Sequence, residues 1–210
     1  MKAYIYTGGK IDASNITETP CEDDIVIAAD SGYKNAKMLG VKPSVLLGDF
    51  DSLDTSTVDD ASLEVISVPA EKDFTDTQMA IDTALKKGAT EIFIIGGLSG
   101  RLDHTLSNLA ILEDLAKKKI RVIINDGYNR ARYLENDSII IINSDYKYVS
   151  LIAKGEKVKG VCIEGCKYEL KNATLTDKYQ YAVSNEILKN CAFISVKKGA
   201  LFIIESKDAN

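Results

Sequence analysis

The sequence has little of what marks several common protein classes. It carries one histidine and four scattered cysteines, Cys21, Cys162, Cys166 and Cys191. Cys162 and Cys166 stand close in sequence, but His104 lies far from both, so the cysteines read as buried or idle thiols rather than a zinc site. They do not form the framework of a disulfide-stapled secreted domain, which points to a reducing cytosol and a cytoplasmic location. No block of Lys or Arg occurs and the formal net charge is -5, which argues against a nucleic-acid groove. The longest apolar runs, such as Ile139 to Ile142, are strand length and fall short of the roughly 18 residues of a membrane span. The opening MKAYIYTGGK has too short an apolar stretch for a signal peptide, and Gly8-Gly9 breaks it early. Neither nucleic acid nor a membrane is expected as a partner.

What is present is core-forming material. Hydrophobic residues make up 45% of the 210 residues, enough for one large domain or two small ones. The first 125 or so residues alternate strand-like and helix-like segments. Short apolar runs at Ala3–Tyr6, Ile25–Ala29, Ser44–Leu47, Glu64–Val68, Ile92–Ile95 and Arg121–Ile124 suit strands buried on both faces. Thr75–Lys87 and Leu102–Lys118 carry apolar residues at helical spacing, the second through Leu102, Leu106, Leu109, Leu112 and Leu115. This alternation predicts an α/β domain with a mostly parallel sheet over residues 1–130. Beyond about Leu134 short strands follow one another: Ser138–Ile142, Tyr148–Ala153, Lys159–Ile163, Ala192–Val196 and Leu201–Glu205. They predict an all-β sandwich domain over 135–210, with Asn125–Asn136 as the linker.

Open α/β sheets bind ligands beyond the carboxyl ends of their strands. Here those ends carry Asp30, then Asp49 and Asp51, then Gly96-Gly97. In Gly48-Asp49-Phe50-Asp51-Ser52, two carboxylates on an extended backbone point the same way. About 4 Å apart they would repel by roughly 4 kcal/mol at an effective dielectric of about 20. A magnesium ion, which takes carboxylate and phosphate oxygens, removes that penalty; a turn in which Asp51 caps the next segment is the alternative. In Asp73-Phe74-Thr75-Asp76-Thr77-Gln78, Thr75 and Gln78 fit a helix capping box and Asp76 the first turn, which leaves Asp73 unexplained. Gly96-Gly97-Leu98-Ser99-Gly100-Arg101-Leu102-Asp103-His104 runs from strand through glycine loop to helix. Helix-start N–H groups and an arginine fork make a phosphate cradle, although not a P-loop. His104 fits either that cradle or an ordinary helix surface. Ser184-Asn185-Glu186 by chemistry alone reads as a turn.

In this order and spacing, Ala29-Asp30-Ser31-Gly32, Gly48–Ser52, Asp73–Asp76 and Gly100–His104 resemble the thiamine pyrophosphokinase family. Gly165-Cys166-Lys167-Tyr168-Glu169-Leu170 and Ser184–Glu186 extend the resemblance over essentially the whole chain. It implies an N-terminal catalytic, ATP-binding domain and a C-terminal thiamine-binding β-sandwich. It also implies a homodimer with active sites between subunits, and transfer of pyrophosphate from ATP to thiamine, giving thiamine diphosphate and AMP. On that resemblance Asp49, Asp51 and Asp76 hold Mg2+, with Asp73 in the same catalytic cluster. Asp30, Thr75, Arg101, Asp103 and His104 lie at the nucleotide, and Ser184 and Asn185 contact thiamine. Ser31, Ser99 and Gln78 depart from the usual pattern without removing an expected metal ligand.

Two other readings compete. Asp49-x-Asp51-Ser52 after an apolar strand also resembles the nucleophile of haloacid dehalogenase phosphatases, which would leave the glycine–arginine loop unexplained. A nucleotide or thiamine sensor on the same scaffold would have no use for a repulsive acidic cluster.

Overall fold

The structure, a computed structural model, describes residues 1–48, 63–67 and 74–208. It divides into two compact units, Met1–Gly127 and Tyr128–Asn210.

In the first unit, β1 (Lys2–Tyr6), β2 (Ile25–Ala29), β3 (Val45–Gly48), β4 (Glu64–Ser67), β5 (Glu91–Ile95) and β6 (Arg121–Asn125) lie in the order β4-β3-β2-β1-β5-β6. Every pairing among them is parallel. Apolar runs produce this arrangement because helices cover the sheet: all residues of β2 and β3 are buried. Fully burying one such aliphatic side chain contributes about 1.5–3 kcal/mol. The outermost β4 is mostly exposed.

Among the described residues three α-helices accompany the strands: α1 (Gly32–Met38), α2 (Asp76–Lys86) and α3 (Leu102–Lys117). The short α1 was not evident in the sequence; it packs Ala36 against Tyr4, Tyr6, Val26 and Ile95. Its first residue must be glycine, because a Cβ on Gly32 would run into the Tyr6 carbonyl. In α2 the Thr75 hydroxyl accepts the Gln78 N–H at 3.2 Å, the forward half of a capping box. Gln78 bonds Asp82 instead of completing the box. In α3 the buried stripe is Asn108, Ile111, Leu112 and Leu115, whereas Leu102 and Leu106, expected on it, are exposed. The first turns of this helix border a cleft at the strand ends, so their apolar residues have no sheet to cover.

In the second unit, β7 (Asn129–Glu135), β8 (Ser138–Ile142), β9 (Tyr148–Glu164), β10 (Leu170–Leu175), β11 (Cys191–Ser195) and β12 (Lys198–Ser206) pair antiparallel. Their order is β7-β12-β9-β11-β8, with β10 also on β9. The two strands expected at 148–153 and 159–163 are one 17-residue strand. Its Gly155 and Gly160, at φ 89° and 67°, let it bend without leaving the ladder. Its early residues pair with β12 and its last ones with β10 and β11.

The expected linker at 125–136 is largely β7, paired with β12 from Asn129↔Ser206 to Glu135↔Ala200. Charge hides this strand in the sequence. Arg130 and Arg132 alternate with Ala131 and Tyr133, and Glu205 lies against both arginines: Arg130 Nη1 is 3.6 Å from Glu205 Oε1, and Arg132 pairs with Oε2. The Arg130 guanidinium also sits 4.8 Å from the centre of the Tyr146 ring. Around β9 a core forms from residues such as Val149, Leu151, Val161, Ile163, Ile194 and Leu201. No helix among the described residues is long and apolar enough to cross a membrane.

Candidate active site

The order β4-β3-β2-β1-β5-β6 places β1 between strands reached by opposite crossovers, which makes a switch point at its carboxyl end. A cleft of about 750 Å³ opens there. It is lined by the segments after β1, β2 and β5 and by the start of α2.

Three glycine-bearing loops meet at this cleft, and close packing holds them together. The Asn35 side chain, buried on α1, donates to the carbonyls of Thr7 (2.7 Å) and Gly9 (3.1 Å). Thr7 N–H and hydroxyl both donate to Ile95 O. Gly96 stands at φ 98°, and a Cβ there would lie 2.9 Å from Thr7 Oγ1 and 3.0 Å from Thr7 O. Asn108, buried on α3, donates to Gly97 O at 2.8 Å. Ser99 donates its hydroxyl to Lys10 O at 2.9 Å. Sequence reasoning missed Asn35 and Asn108. The usable signal for the second was an amide on an apolar helical stripe, four and seven positions before Leu112 and Leu115.

Asp30 lines the cleft in the left-handed region, at φ 46°. Aspartate visits that region more readily than most residues, and such outliers concentrate at functional sites. Its backbone is fixed on both sides: its N–H donates to Leu47 O at 2.7 Å, and its carbonyl accepts Tyr33 N–H at 3.1 Å. Gly48 abuts it, since a Cβ there would be 3.3 Å from the Asp30 Cα. Thr75, Asp76, Arg101 and His104 line the same cleft. Asp49, Asp51 and Asp73 lie outside the described residues. Among the described residues no three acidic, histidine or cysteine side chains group as a metal centre.

Arg101 and Asp103 form a two-pronged pair, Nη2–Oδ2 at 2.6 Å and Nε–Oδ1 at 3.1 Å. That hydrogen bond from Arg101, joined by the His104 N–H and the charges of both residues, pulls the Asp103 carboxyl down to about 2. The same pairing raises Arg101 further above its ordinary value. Asp103 also sits in the first turn of α3, where negative charge is favoured.

In the second unit, a smaller pocket of about 230 Å³ is lined by Tyr168, Tyr181, Val183 and Asn185 among others. Ser184 is exposed at φ 55°, with its N–H donated to Ser150 Oγ at 2.9 Å. Asn185 is buried, and its amide is engaged with the Tyr168 backbone on two sides.

Comparison with known proteins bears on both units. Residues 19–124 match the sequence family described as "Thiamin pyrophosphokinase, catalytic domain", and residues 138–201 match "Thiamin pyrophosphokinase, vitamin B1 binding domain". The chain is 31% identical over 191 residues to a thiamine pyrophosphokinase of Bacillus subtilis (strain 168), covering 89% of each. It is 28% identical over 172 residues to thiamin pyrophosphokinase 1 of Caenorhabditis elegans, covering 78% of this chain and 70% of that one. The crystal structure of a thiamine pyrophosphokinase from Bacillus subtilis superposes over the whole of both chains with a TM-score of 0.85 at 28% identity. With matches to both family domains, and a relative above 30% identity along most of its length, the chain belongs to the thiamin pyrophosphokinase family of enzymes.

Proposed function

We propose that this enzyme transfers a pyrophosphoryl group from magnesium–ATP to the hydroxyethyl oxygen of thiamine, releasing AMP. The observation that carries this reading is the cleft itself. At one switch point it combines Asp30, Asp76, Arg101 and three glycine-bearing loops, two of them held by buried asparagines.

In this reading the ATP phosphates lie along the glycine loops and the N-terminal turn of α3, with Arg101 as the cationic fork. Arg101 then exchanges part of its contact with Asp103 for phosphate oxygens. The thiamine hydroxyl oxygen attacks the β-phosphorus, its new P–O bond replacing the bond to the α-phosphate oxygen. AMP leaves with the bonding electron pair. The alcohol proton passes to an aspartate of the cluster, for which Asp73 and Asp76 are the candidates. Phosphoryl transfer rests on positioning and charge neutralisation, so acids and oriented N–H groups suffice without a protein nucleophile.

The donor set suits magnesium. Asp30 and Asp76 offer hard oxygen ligands at the cleft, and Asp49 follows Gly48, which abuts Asp30. Asp49, Asp51 and Asp76 are the residues we assign to the ion. When bound, it would neutralise phosphate charge and favour departure of AMP.

We read the C-terminal unit as a thiamine-binding sandwich whose layers are joined through β9. We further read the enzyme as a cytoplasmic homodimer with active sites between subunits. The exposed side chains of Ile140, Ile142 and Phe193, neighbours across β8 and β11, support an association surface. Analytical ultracentrifugation of the purified chain tests the dimer, and a monomer at micromolar concentration would exclude it.

Product analysis tests the chemistry. With magnesium, ATP and thiamine, AMP and thiamine diphosphate are expected together, and neither without thiamine. ADP with thiamine monophosphate would move the attack to the γ-phosphorus. Inorganic phosphate without thiamine would favour a phosphatase instead.

A further inference from the structure

We infer that Asn185 serves thiamine recognition through Tyr168, as a positioning residue rather than as a ligand contact. This rests on the proposal that the C-terminal unit binds thiamine.

An asparagine amide offers one oxygen with two lone pairs and two N–H donors. In Asn185, which is 4% exposed, Oδ1 accepts the N–H groups of Tyr168 and Glu186, both at 3.0 Å, and Nδ2 donates to Tyr168 O at 2.7 Å. Both acceptor sites and one donor are thus committed within the fold. The Asn185 backbone is anchored in turn: its N–H donates to Val149 O at 3.0 Å, and its carbonyl accepts Val149 N–H at 2.8 Å. Asn185 therefore ties the start of β9 to the peptide units on both sides of Tyr168.

The rest of the 165–169 turn is closed as firmly. Glu169 Oε1 accepts Gly165 N–H at 3.0 Å, and Lys167 N–H donates to Glu186 O at 2.8 Å. Yet the Tyr168 side chain held by all this is 63% exposed, so its ring contributes little to the core. What the clamp fixes is one wall of the 230 Å³ pocket, where Tyr168 stands with Tyr181, itself anchored by its hydroxyl on Thr174 O at 3.1 Å. An aromatic wall held before binding gives a flat heteroaromatic ring a surface to stack on with less ordering to be done on association.

Steady-state kinetics of the full-length protein tests this with Asn185→Ala, Tyr168→Ala and the double variant. Each single variant is expected to raise the KM for thiamine by about tenfold, the equivalent of one lost hydrogen bond or ring contact. The KM for ATP should not move, and the double variant should be no worse than Tyr168→Ala. Additive effects in the double variant would overturn the inference, because a direct contact by Asn185 adds to the loss of Tyr168. Equal rises in both KM values would also overturn it, by marking Asn185 as merely structural. Should Asn185→Ala fail to fold by circular dichroism, Tyr168→Ala decides alone, since its exposed side chain can be removed safely; an unchanged thiamine KM there rejects the idea. A lack of thiamine-dependent AMP in the unaltered enzyme strikes the functional reading instead. Calorimetric titration with thiamine then reads the same variants, and unaltered affinity in Tyr168→Ala overturns the inference.

Discussion

Arg101 and Asp103 hold each other in a two-pronged pair although their side chains are 73% and 62% exposed. Solvent screens such a pair, so it adds little to stability; its value lies in aiming the guanidinium. The Asp103 carboxyl is lowered from 3.8 to about 2, chiefly by the Arg101 hydrogen bond. A lowered carboxylate contributes its stabilisation fully above the ordinary value, and that contribution is lost as pH falls through about 2. Asp103 therefore stays charged wherever the enzyme works, and pH dependence of activity above pH 4 has another origin. A carboxyl titration followed by NMR should show a midpoint near 2 for Asp103, returning towards 3.8 in Arg101→Gln. An ordinary midpoint in the unaltered protein would show that the pair does not persist in solution. The same substitution removes a charged donor from the proposed phosphate site, so kcat/KM for ATP should fall by about tenfold to a hundredfold. Tyr6 offers a contrast. It is fully buried, its phenol is pushed well above its ordinary value by desolvation, and its hydroxyl has no partner among the described residues. Removing an unpaired buried hydroxyl relieves a desolvation penalty, so Tyr6→Phe should leave the urea midpoint unchanged or raise it.

The loops at the cleft act as one element because each is fastened to a helix or strand behind it. Asn108 joins α3 to the Gly96-Gly97 turn, and Asn35 joins α1 to the Thr7-Gly8-Gly9 turn. Asn108→Ala strips the Gly97 carbonyl of its donor and should destabilise the protein by about 1–3 kcal/mol. Because the same turn borders the cleft, the KM for ATP should rise while that for thiamine holds. Parallel changes in both constants would mean that the turn does not belong to the nucleotide site. These fasteners were hardly legible in the sequence, whereas the loops they fasten were. Strands buried on both faces announce themselves as continuous apolar runs, and their ends mark where ligands bind. Asp30 and Arg101 could therefore be picked from position, whereas Asp76 read as a helix-start residue and His104 stayed open until the family resemblance was drawn; all four line one cleft. An asparagine that satisfies a backbone carbonyl carries no such mark, because its partner is any residue at all. Elements whose periodicity is broken were equally hard to read. The seven-residue α1 begins on glycine, β7 alternates arginine with apolar residues, and β9 crosses two glycines without ending.

Each unit has a core of its own, and each buries a carboxylate. In Met1–Gly127 the buried sheet is aliphatic and aromatic, Asp126 is buried just past the end of β6, and Asp30 and Asp76 line the cleft. In Tyr128–Asn210 a carboxylate lies inside: Glu205 is 1% exposed, and both of its oxygens face arginines of β7. Burying such a group is costly, and opposed arginines offset that cost only while the cluster is complete. Glu205→Ala would leave Arg130 and Arg132 as like charges in a poorly solvated place, and we expect a loss of about 3–5 kcal/mol. The described residues that line the cleft assigned to ATP all belong to the other unit, so the loss should not reach it. Calorimetry of Glu205→Ala should show a lower unfolding temperature, while titration with a non-hydrolysable ATP analogue below that temperature gives unaltered affinity. A weakened nucleotide site in the still-folded variant would mean that the C-terminal unit contributes to ATP binding, and the division of labour between the two units would have to be redrawn.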